Sequence, residues 1–340
     1  VKLEGDYLPV TISDIAKAAN VTKATVSYVI NNKPGVSEET RQKILKIMKE
    51  MNYHPSTVAR GLAGKSTEML GLIIPDISDH FYVQVVRGVE ETANLYNFTL
   101  NLCTTHALPE KEREMVDLFT TGRVDGIILM TYFLDLDYIV NLKKRKIPFV
   151  LIDSTFEDKS IYTVNVDNFE AGYKATEHLI RLGHKRIAFV GGPQSSNDSL
   201  LRFRGYRQAL QDHGLSYSED LVCQGDFKRE GGYQAFLTLQ RLQNKPTAVF
   251  AANDQMAIGI LSAARSVGLQ VPQDLSIIGC DDIEASSVVE PPLSTIKQPI
   301  EEMGKRATEI IFQLIYKEKP AQRRVVLKTS LVERSSCQAL

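Results

Sequence analysis

The stretch PTAVFAANDQMAIGILSAARSVG, residues 246–268, contains the unit from which the fold of this chain is built. Its first part is a short apolar run, which is typical of a buried β-strand. Its second part has the length and spacing of an amphipathic helix. A polar pair, Asn253 and Asp254, joins the two parts. A continuous apolar strand that runs into a helix predicts a parallel sheet whose two faces are covered by helices.

The same alternation of apolar runs and helical runs extends in both directions from this stretch and begins at Met69. The runs LGLIIPD (70–76) and RIAFVGG (186–192) are further examples of the strand type. About 270 residues of this pattern exceed what one comfortable core holds. We therefore predict an α/β protein with two lobes, each a doubly wound parallel sheet.

Polar side chains directly follow several of the predicted strands. They are Asp76, Asp153, the pair Asn253-Asp254 and the pair Asp281-Asp282. Ligands of open parallel sheets bind beyond the carboxyl ends of the strands. The sequence therefore predicts a ligand site at one edge of the sheets, lined by these groups.

Residues 1–66 follow a different pattern, with helices and no strands. The spacing predicts helices over Ser13–Ala19, from Lys23 to about Ile30, and from Ser37 onward. Thr11 or Ser13, Thr22 and Ser37 are the expected N-terminal caps, because hydroxyl side chains satisfy the free N–H groups of a first turn. The apolar side chains of Val26, Val29 and Ile30 are expected in the core of this small domain.

The charge of the chain is unevenly distributed. The net charge is −1, but residues 1–66 hold ten Lys/Arg against six Asp/Glu, and the remainder holds thirty against thirty-five. A basic head on an acidic body indicates an anionic partner for the head. The alternative is that an excess of four charges over 66 residues arises by chance.

Composition excludes several classes of protein. Hydrophobic residues make up 43% and charged residues 24%, which is typical of a soluble globular protein. No apolar stretch reaches the ~18 residues of a membrane helix, and VKLEGDYLPV (1–10) does not resemble a signal peptide. Four scattered cysteines without CxxC spacing fit neither a zinc site nor a disulfide framework. We expect a cytoplasmic protein without metal or cofactor.

Five segments, in this order, resemble the lactose-repressor (LacI/GalR) family of bacterial transcription regulators. They are TISDIAKAANVTKATVSYVIN (11–31), HPSTVARGLAGKS (54–66), GHKRIAFVGGP (183–193), PTAVFAANDQMAIG (246–259) and PPLSTIKQP (291–299). The resemblance implies a helix-turn-helix head, a hinge helix and a dimeric effector domain shaped like periplasmic sugar-binding proteins. These would be residues 1–53, 54–66 and 67–340. Lobe one would comprise about 67–166 plus 296–324, and lobe two about 167–295 plus 325–340.

The second helix of a helix-turn-helix lies in the major groove of DNA. The resemblance therefore implies DNA contacts from Thr22, Lys23, Ala24, Thr25, Ser27, Tyr28 and Asn31. Lys23 can donate to guanine and Ala24 can pack on a thymine methyl, whereas Thr25, Ser27 and Asn31 suit phosphates. The alternative for Lys23 and Tyr28 is a solvated surface. Tyr28 stands where the family often has arginine, so no operator sequence is carried over.

The segment 54–66 matches the hinge helix of the family, which binds the minor groove at the operator centre. The residues implied in DNA contact are Ser56, Ala59, Arg60 and Leu62, with Leu62 as the apolar wedge that kinks the duplex. Two glycines and a short length make this segment a weak helix by itself. The alternative is a plain flexible linker.

The positions at which the family contacts its effector fall here on seven residues of the body. They are Phe81, Tyr82, Asp153, Arg202, Phe227, Asn253 and Asp281. Arg202, Asn253 and Asp281 suit hydroxyl groups, and Phe81 and Phe227 can enclose a sugar ring. The alternatives are core packing for the aromatic residues and a helix cap for Asp281.

The leading hypothesis is a dimeric repressor that binds double-stranded operator DNA in the bacterial cytoplasm, at the nucleoid, under the control of a sugar-like effector. A transport-type binding protein would share the two-lobed body, but it needs a signal peptide and has no use for a basic head. An enzyme is disfavoured because no catalytic motif is recognisable. Whether the effector releases or enforces DNA binding, and whether a partner protein takes part, stays open.

Overall fold

The computed structural model describes residues 10–30, 33–53, 66–131, 134–154, 156 and 158–340. The chain divides into two compact units, one that ends at Thr67 and one that spans Glu68–Leu340. Among the described residues, no helix is both long enough and apolar enough to cross a membrane.

The described part of the N-terminal unit is helical: α1 (Ile12–Ala19), α2 (Lys23–Ile30) and α3 (Glu38–Glu50). Thr11 precedes α1. The backbone N–H and the hydroxyl of Thr11 donate hydrogen bonds to the Asp14 carboxylate, at 3.0 Å and 2.7 Å. Asn20 ends α1 in the left-handed conformation, with φ +55°. The turn between α1 and α2 is therefore fixed by local side-chain chemistry, as the sequence predicts.

The predicted caps of α2 and α3 are confirmed. The Thr22 hydroxyl accepts from the N–H of Thr25 at 3.1 Å. Ser37 accepts in the same way from the N–H of Thr40 at 3.3 Å. A small core holds the helices together and contains the predicted Val26 and Val29, with Ile30 packed against it; its buried members are Ile15, Ala16, Ala19, Val26, Val29 and Ile44.

The first lobe of the second unit is built on six strands. They are β1 (Met69–Ile74), β2 (Thr99–Thr104), β3 (Gly126–Leu129), β4 (Phe149–Ile152), β5 (Thr163–Val166) and β11 (Arg324–Leu327). They form a parallel sheet of order β11-β5-β4-β3-β1-β2. The side chains of β3, β4 and β5 are buried throughout, since helices cover both faces.

The second lobe also contains six strands. They are β6 (Ile187–Gly191), β7 (Val222–Gln224), β8 (Ala248–Ala251), β9 (Ser276–Asp281), β10 (Ser294–Lys297) and β12 (Ser330–Val332). Their sheet has the order β12-β10-β9-β8-β6-β7 and is parallel except for β12, which pairs antiparallel with β10. The predicted α/β class and the two parallel sheets are confirmed.

Helices alternate with the strands along the chain. They are α4 (His80–Leu95), α5 (Pro109–Phe119), α6 (Leu136–Lys144), α7 (Asn168–Arg181), α8 (Asn197–Asp212), α9 (Arg229–Leu239), α10 (Asp254–Ser266), α11 (Glu284–Val288) and α12 (Ile300–Ile315). Their apolar faces and the sheets form separate cores in the two lobes. The helices α4, α9 and α10 begin beside the inter-lobe cavity, to which they contribute Tyr82, Arg229 and Gln255.

The chain passes between the lobes near Asp167, Gln298 and Lys328. The predicted boundary for the first passage lies at 166/167. The other two differ from the prediction by two or three residues, because β10 pairs with β9 of lobe two through Lys297 and β11 pairs with β5 of lobe one from Arg324 to Leu327. These two boundaries depend on which strands form hydrogen bonds with each other, and the pattern of apolar residues does not show this pairing.

Candidate functional site

Helix α2 presents the predicted DNA-contacting side chains on one accessible surface. Thr22, Lys23, Ala24 and Tyr28 are exposed, and Thr25 and Ser27 are half-buried. Val26 and Val29, on the opposite face, are buried in the small core. The helix therefore separates a packing face from an exposed face that combines an ammonium group, hydroxyls, a methyl group and a phenol.

Two contacts fix the C-terminal end of α2. Arg41 on α3 donates to the carbonyl oxygens of Val29 at 3.4 Å and Lys33 at 2.9 Å. The Lys33 ammonium lies 5.7 Å from the centre of the Tyr28 ring. Arg41 satisfies carbonyl groups that a helix end leaves free, so this arginine, which sequence reasoning missed, supports the face that carries Tyr28.

Five predicted DNA-contacting residues lie outside the described residues: Asn31, Ser56, Ala59, Arg60 and Leu62. Their roles, including the wedge role of Leu62, stay predictions from the sequence resemblance.

A cavity of about 500 Å³ separates the two lobes at the carboxyl ends of their strands. The first lobe contributes Pro75, Asp76, Ser78, Asp79, Tyr82, His106 and Ala107. The second lobe contributes Pro193, Ser195, Ser196, Asp226, Phe227, Lys228, Arg229 and Gln255. A volume of this size accommodates a small ligand such as a mono- or disaccharide, and its place agrees with the predicted edge of the sheets.

Aromatic rings from both lobes line the cavity. Tyr82 contributes from α4 and Phe227 from the loop before α9. Phe227 has left-handed backbone, φ +65°, and its ring packs on Gly192, where a Cβ atom would lie 2.3 Å from the ring. Phe81 meets the Tyr82 ring edge-on at 5.4 Å and packs against the core of lobe one. The cavity-lining aromatic pair is therefore Tyr82 and Phe227, rather than the predicted Phe81 and Phe227.

Arg202 lies in a buried polar cluster of lobe two. The residues that line the cavity do not include Arg202 or the other predicted polar contacts, Asp153, Asn253 and Asp281. Its Nε donates to Asn168 at 2.9 Å, and its Nη1 donates to the carbonyl oxygen of Ala252. The same Nη1 lies 3.7 Å from the Asp281 carboxylate, which also accepts from Gln298 at 2.6 Å. Burial raises the pKa of Asp281, and the charge of Arg202 opposes that shift. The predicted Arg202 and Asp281 are thus direct neighbours.

Asn253 joins this cluster to the cavity wall. As the cap of α10 it accepts from the N–H of Met256 at 3.0 Å, and its Nδ2 donates to the carbonyl oxygen of Phe227 at 2.9 Å. An amide that holds both the start of a helix and the loop of Phe227 is a positioning group. The exposed fraction of its surface is 4%, so its neighbours enclose it almost completely.

Asp153 follows β4 in the left-handed conformation, φ +57°, and its carboxyl group hydrogen-bonds the carboxyl group of Asp198. Asp198 lies in the first turn of α8 and accepts from Asn168 at 3.1 Å. Burial raises the pKa of both groups, and for Asp198 the neighbouring charge of Asp153 adds to the shift. The contact between the two groups raises the pKa of Asp198 and lowers that of Asp153, so it favours a proton on Asp198 and a charge on Asp153.

Four residues of the site are absent from the seven effector contacts that the sequence implies. Asp76 and Asp79 line the cavity from lobe one, and Asn168 and Asp198 complete the buried cluster. Asp76 comes two residues after β1 and Asp198 is the second residue of the helix after β6, which are signals that the sequence contains. Asn168 follows the cap Asp167 at the start of α7. The sequence around Asn168 is that of an ordinary helix N-terminus, so it does not indicate a role in a site.

Comparisons with known proteins match both units of the chain. A profile of bacterial regulatory proteins of the lacI family matches residues 11–56, and a profile of a periplasmic binding protein-like domain matches residues 176–337. Catabolite control protein A of Priestia megaterium is 37% identical over 310 residues, which cover 91% of this chain and 93% of that protein.

Two solved structures match nearly the whole chain. The Lac repressor dimer bound to operator and the anti-inducer ONPF has a TM-score of 0.86 at 30% identity, and the match covers 98% of this chain and 100% of the other. A complex of the transcriptional regulator CelR with cellobiose has a TM-score of 0.74 at 31% identity, with 96% and 99% covered.

Proposed function

This chain belongs to the LacI family of bacterial regulatory proteins, and from this premise we propose that it is a repressor that binds its operator as a homodimer under the control of a sugar-like effector. The observation that carries the proposal is the exposed face of α2, on a head that matches the lacI-family profile. A helix whose free N-terminal half combines Lys23 with small and hydroxyl side chains suits the major groove.

On the DNA side, Lys23 and Ala24 read base edges, and Thr22, Thr25, Ser27 and Asn31 bind phosphates. Tyr28 extends the contact from the C-terminal half of α2, where the nearby Lys33 adds a positive charge. Ser56, Ala59, Arg60 and Leu62 act in the minor groove at the operator centre. Because a homodimer presents two heads related by a two-fold axis, the site is a near-palindrome with half-sites ~10 base pairs apart. A regulator of this kind works in the bacterial cytoplasm, on nucleoid DNA.

On the effector side, the ring of a sugar lies between Tyr82 and Phe227, with Phe81 supporting Tyr82. Arg202, Asn253 and Asp281 bind hydroxyl groups from the second lobe, and Asp153 does so from the first. The support for a sugar-like ligand is the pairing of aromatic faces with a dense hydrogen-bonding cluster. The cellobiose bound to CelR, a relative with the same fold, agrees with this class of ligand.

Selection from a random duplex library with the purified chain tests the DNA part of the proposal. We expect enrichment of a near-palindromic site, retarded in gels more strongly than a scrambled duplex of equal length. Sugars added to that complex should then change the retarded fraction. Absence of any enriched site, at low salt as well as high, would contradict the repressor assignment.

A transport-type binding protein and an enzyme are the alternative functions. The transport alternative predicts sugar binding with no retardation of duplex DNA, even at low salt. The enzyme alternative predicts that a bound sugar is consumed, which chromatography of the sugar after incubation detects. The relatives named above are regulators, and we propose that this chain likewise has no enzymatic activity.

A further inference from the structure

The strands of lobe one begin at an edge of the sheet that is rich in cationic side chains. Strands β3, β4, β5 and β11 run parallel, so the residues that precede them lie at one edge. Helix α12 ends at the same edge, since Ile315 lies beside Gly126, the first residue of β3. We call this surface the basic edge. Its cationic residues, all exposed, are Arg123, Lys143, Lys144, Arg145, Lys146, Lys159, Lys317, Lys319, Arg323 and Arg324.

Contacts between the end of α6 and the start of β11 hold part of the basic edge together. The Lys143 ammonium donates to the hydroxyl of Ser160, and Arg323 donates to the carbonyl oxygen of Ser160 at 3.0 Å. The Arg323 guanidinium also lies 5.2 Å from the centre of the Tyr162 ring. Cations that are far apart in the sequence therefore share one surface.

The basic edge carries a charge opposite to that of the rest of the body. Its acidic members among the described residues are Glu68, Asp117, Asp125, Asp158 and Glu318, so ten cations stand against five acids. This leaves twenty Lys/Arg against thirty Asp/Glu for the remainder of residues 67–340. Three of the five acids are engaged locally: Asp117 by Arg145, Asp125 by the N–H of Glu68, and Asp158 by Ser160. An exposed cationic surface on an acidic body indicates an anionic partner.

DNA is the anionic partner that the path of the chain favours. The N-terminal unit ends at Thr67 and leads into β1, whose first residue, Met69, accepts from the N–H of Asp125 at 2.9 Å. The chain therefore enters the body at the basic edge, and a duplex held by the head is tethered to this edge rather than to the opposite one. The neighbouring strands β11, β5, β4, β3 and β1 span about 19 Å, which corresponds to about five or six base pairs of duplex.

We propose that the basic edge binds backbone phosphates of the DNA that flanks the operator. This inference rests on the proposed function, because it assumes that the head holds an operator. Contacts of lysine and arginine with phosphates are independent of base sequence, and each contact releases condensed counterions. The head thus selects the site, and the body adds salt-sensitive affinity on a duplex that extends beyond the site.

Gel retardation of the full chain over a range of salt concentrations, with two duplexes, tests the inference. The short duplex holds only the selected operator, and the long duplex adds two helical turns of arbitrary sequence, ~20 base pairs, on each side. We expect the wild type to bind the long duplex more tightly, with a steeper slope of log affinity against log salt. Equal slopes on the two duplexes overturn this inference while the repressor stands. If neither duplex is retarded, the DNA part of the proposed function falls, and this inference falls with it.

The double variant Lys144→Gln with Lys146→Gln isolates the basic edge. Loss of two phosphate contacts should lower the slope on the long duplex by about 2, which is about tenfold less gain in affinity between about 200 and 50 mM salt. Affinity for the short duplex should not change. The matched control is Lys185→Gln with Lys245→Gln, because these exposed lysines precede β6 and β8 at the corresponding edge of lobe two. A wild-type slope in the double variant overturns the inference in favour of an acidic protein partner. An equal loss in the control also overturns it, because the effect is then one of net charge.

Discussion

The substitution Asp198→Asn should change how the stability of the protein depends on pH, in the absence of any ligand. Burial raises the pKa of both Asp153 and Asp198, so we expect the pair to hold a proton above the ordinary pKa of aspartate. The charged groups that face the pair are Arg202 on α8 and Asp281 at the end of β9. The amide introduced by the substitution would donate its own N–H to Asp153, so the variant needs no shared proton.

The sign and size of the effect follow from linkage. A carboxyl pKa raised in the native state means that folding takes up a proton, so the stabilisation is complete at low pH and is lost as pH rises through the folded pKa. One extra proton changes the free energy of unfolding by about 1.4 kcal/mol per pH unit. The stability of the wild type minus that of Asp198→Asn should therefore fall with this slope above pH ~4, and become constant above the folded pKa of the pair.

Urea unfolding at a series of pH values, followed by circular dichroism because the chain has no tryptophan, measures this difference. Subtracting the free energy of unfolding of Asp198→Asn from that of the wild type removes the contributions of the titrating groups that the two proteins share. Asp212→Asn, the control at an exposed aspartate of the same helix, should give a curve parallel to that of the wild type. If the curves of the wild type and Asp198→Asn are also parallel, the pair does not hold a proton and the reasoning is refuted.

Three further variants test the two proposed sites. Lys23→Ala should cost about 1–3 kcal/mol on the selected operator, as a base contact does; an equal loss on random duplex, or from the exposed control Lys17→Ala, would make it a nonspecific charge effect. Asp281→Ala should weaken effector binding at least tenfold in calorimetry because Arg202 loses its ionic partner at 3.7 Å, and undiminished affinity would mean that the pocket lies elsewhere. Gly192→Ala should weaken effector binding more than tenfold, since the new Cβ would lie 2.3 Å from the Phe227 ring and displace it; an unchanged affinity would remove that ring from the site.

Much of the fold follows from features that act locally in the sequence. Thr22 and Ser37 cap their helices as predicted, because a hydroxyl directly before a helix can accept a hydrogen bond from a free N–H of the first turn. The apolar runs at β1 and β8 predict buried parallel strands because their length and flanking residues leave little alternative. The lobe boundary near β11 could not be predicted in the same way, since Val325 and Val326 suit either sheet and only the pairing with β5 decides.

The site was predictable in its residue types and less so in its geometry. Position at a strand end predicts that Asp153 and Asp281 face a ligand site, and the structure places both at that edge. That Asp153 contacts Asp198 depends on how α8 of the other lobe approaches β4, a tertiary relation between residues 45 positions apart. Tyr82 lines the cavity, whereas Phe81 packs against the core. The sequence did not predict which of the two rings lines the cavity, because neighbouring positions on α4 point to different sides of the helix.

The distribution of contacts between the lobes has a consequence for regulation. An effector shifts DNA binding only by its differential affinity for two arrangements of the lobes, typically 1–3 kcal/mol or about 5–150-fold. Arg202, Asp281 and Asn253 all belong to lobe two, so in the proposed site an effector would form hydrogen bonds to them in any arrangement of the lobes, and these bonds would set how tightly it binds. Asp153 and Asp198 meet only across the lobes. Affinity and response therefore depend on different residues: a variant of Asp281 should respond again at high effector concentration, whereas a variant of Asp198 should show an altered response even when saturated.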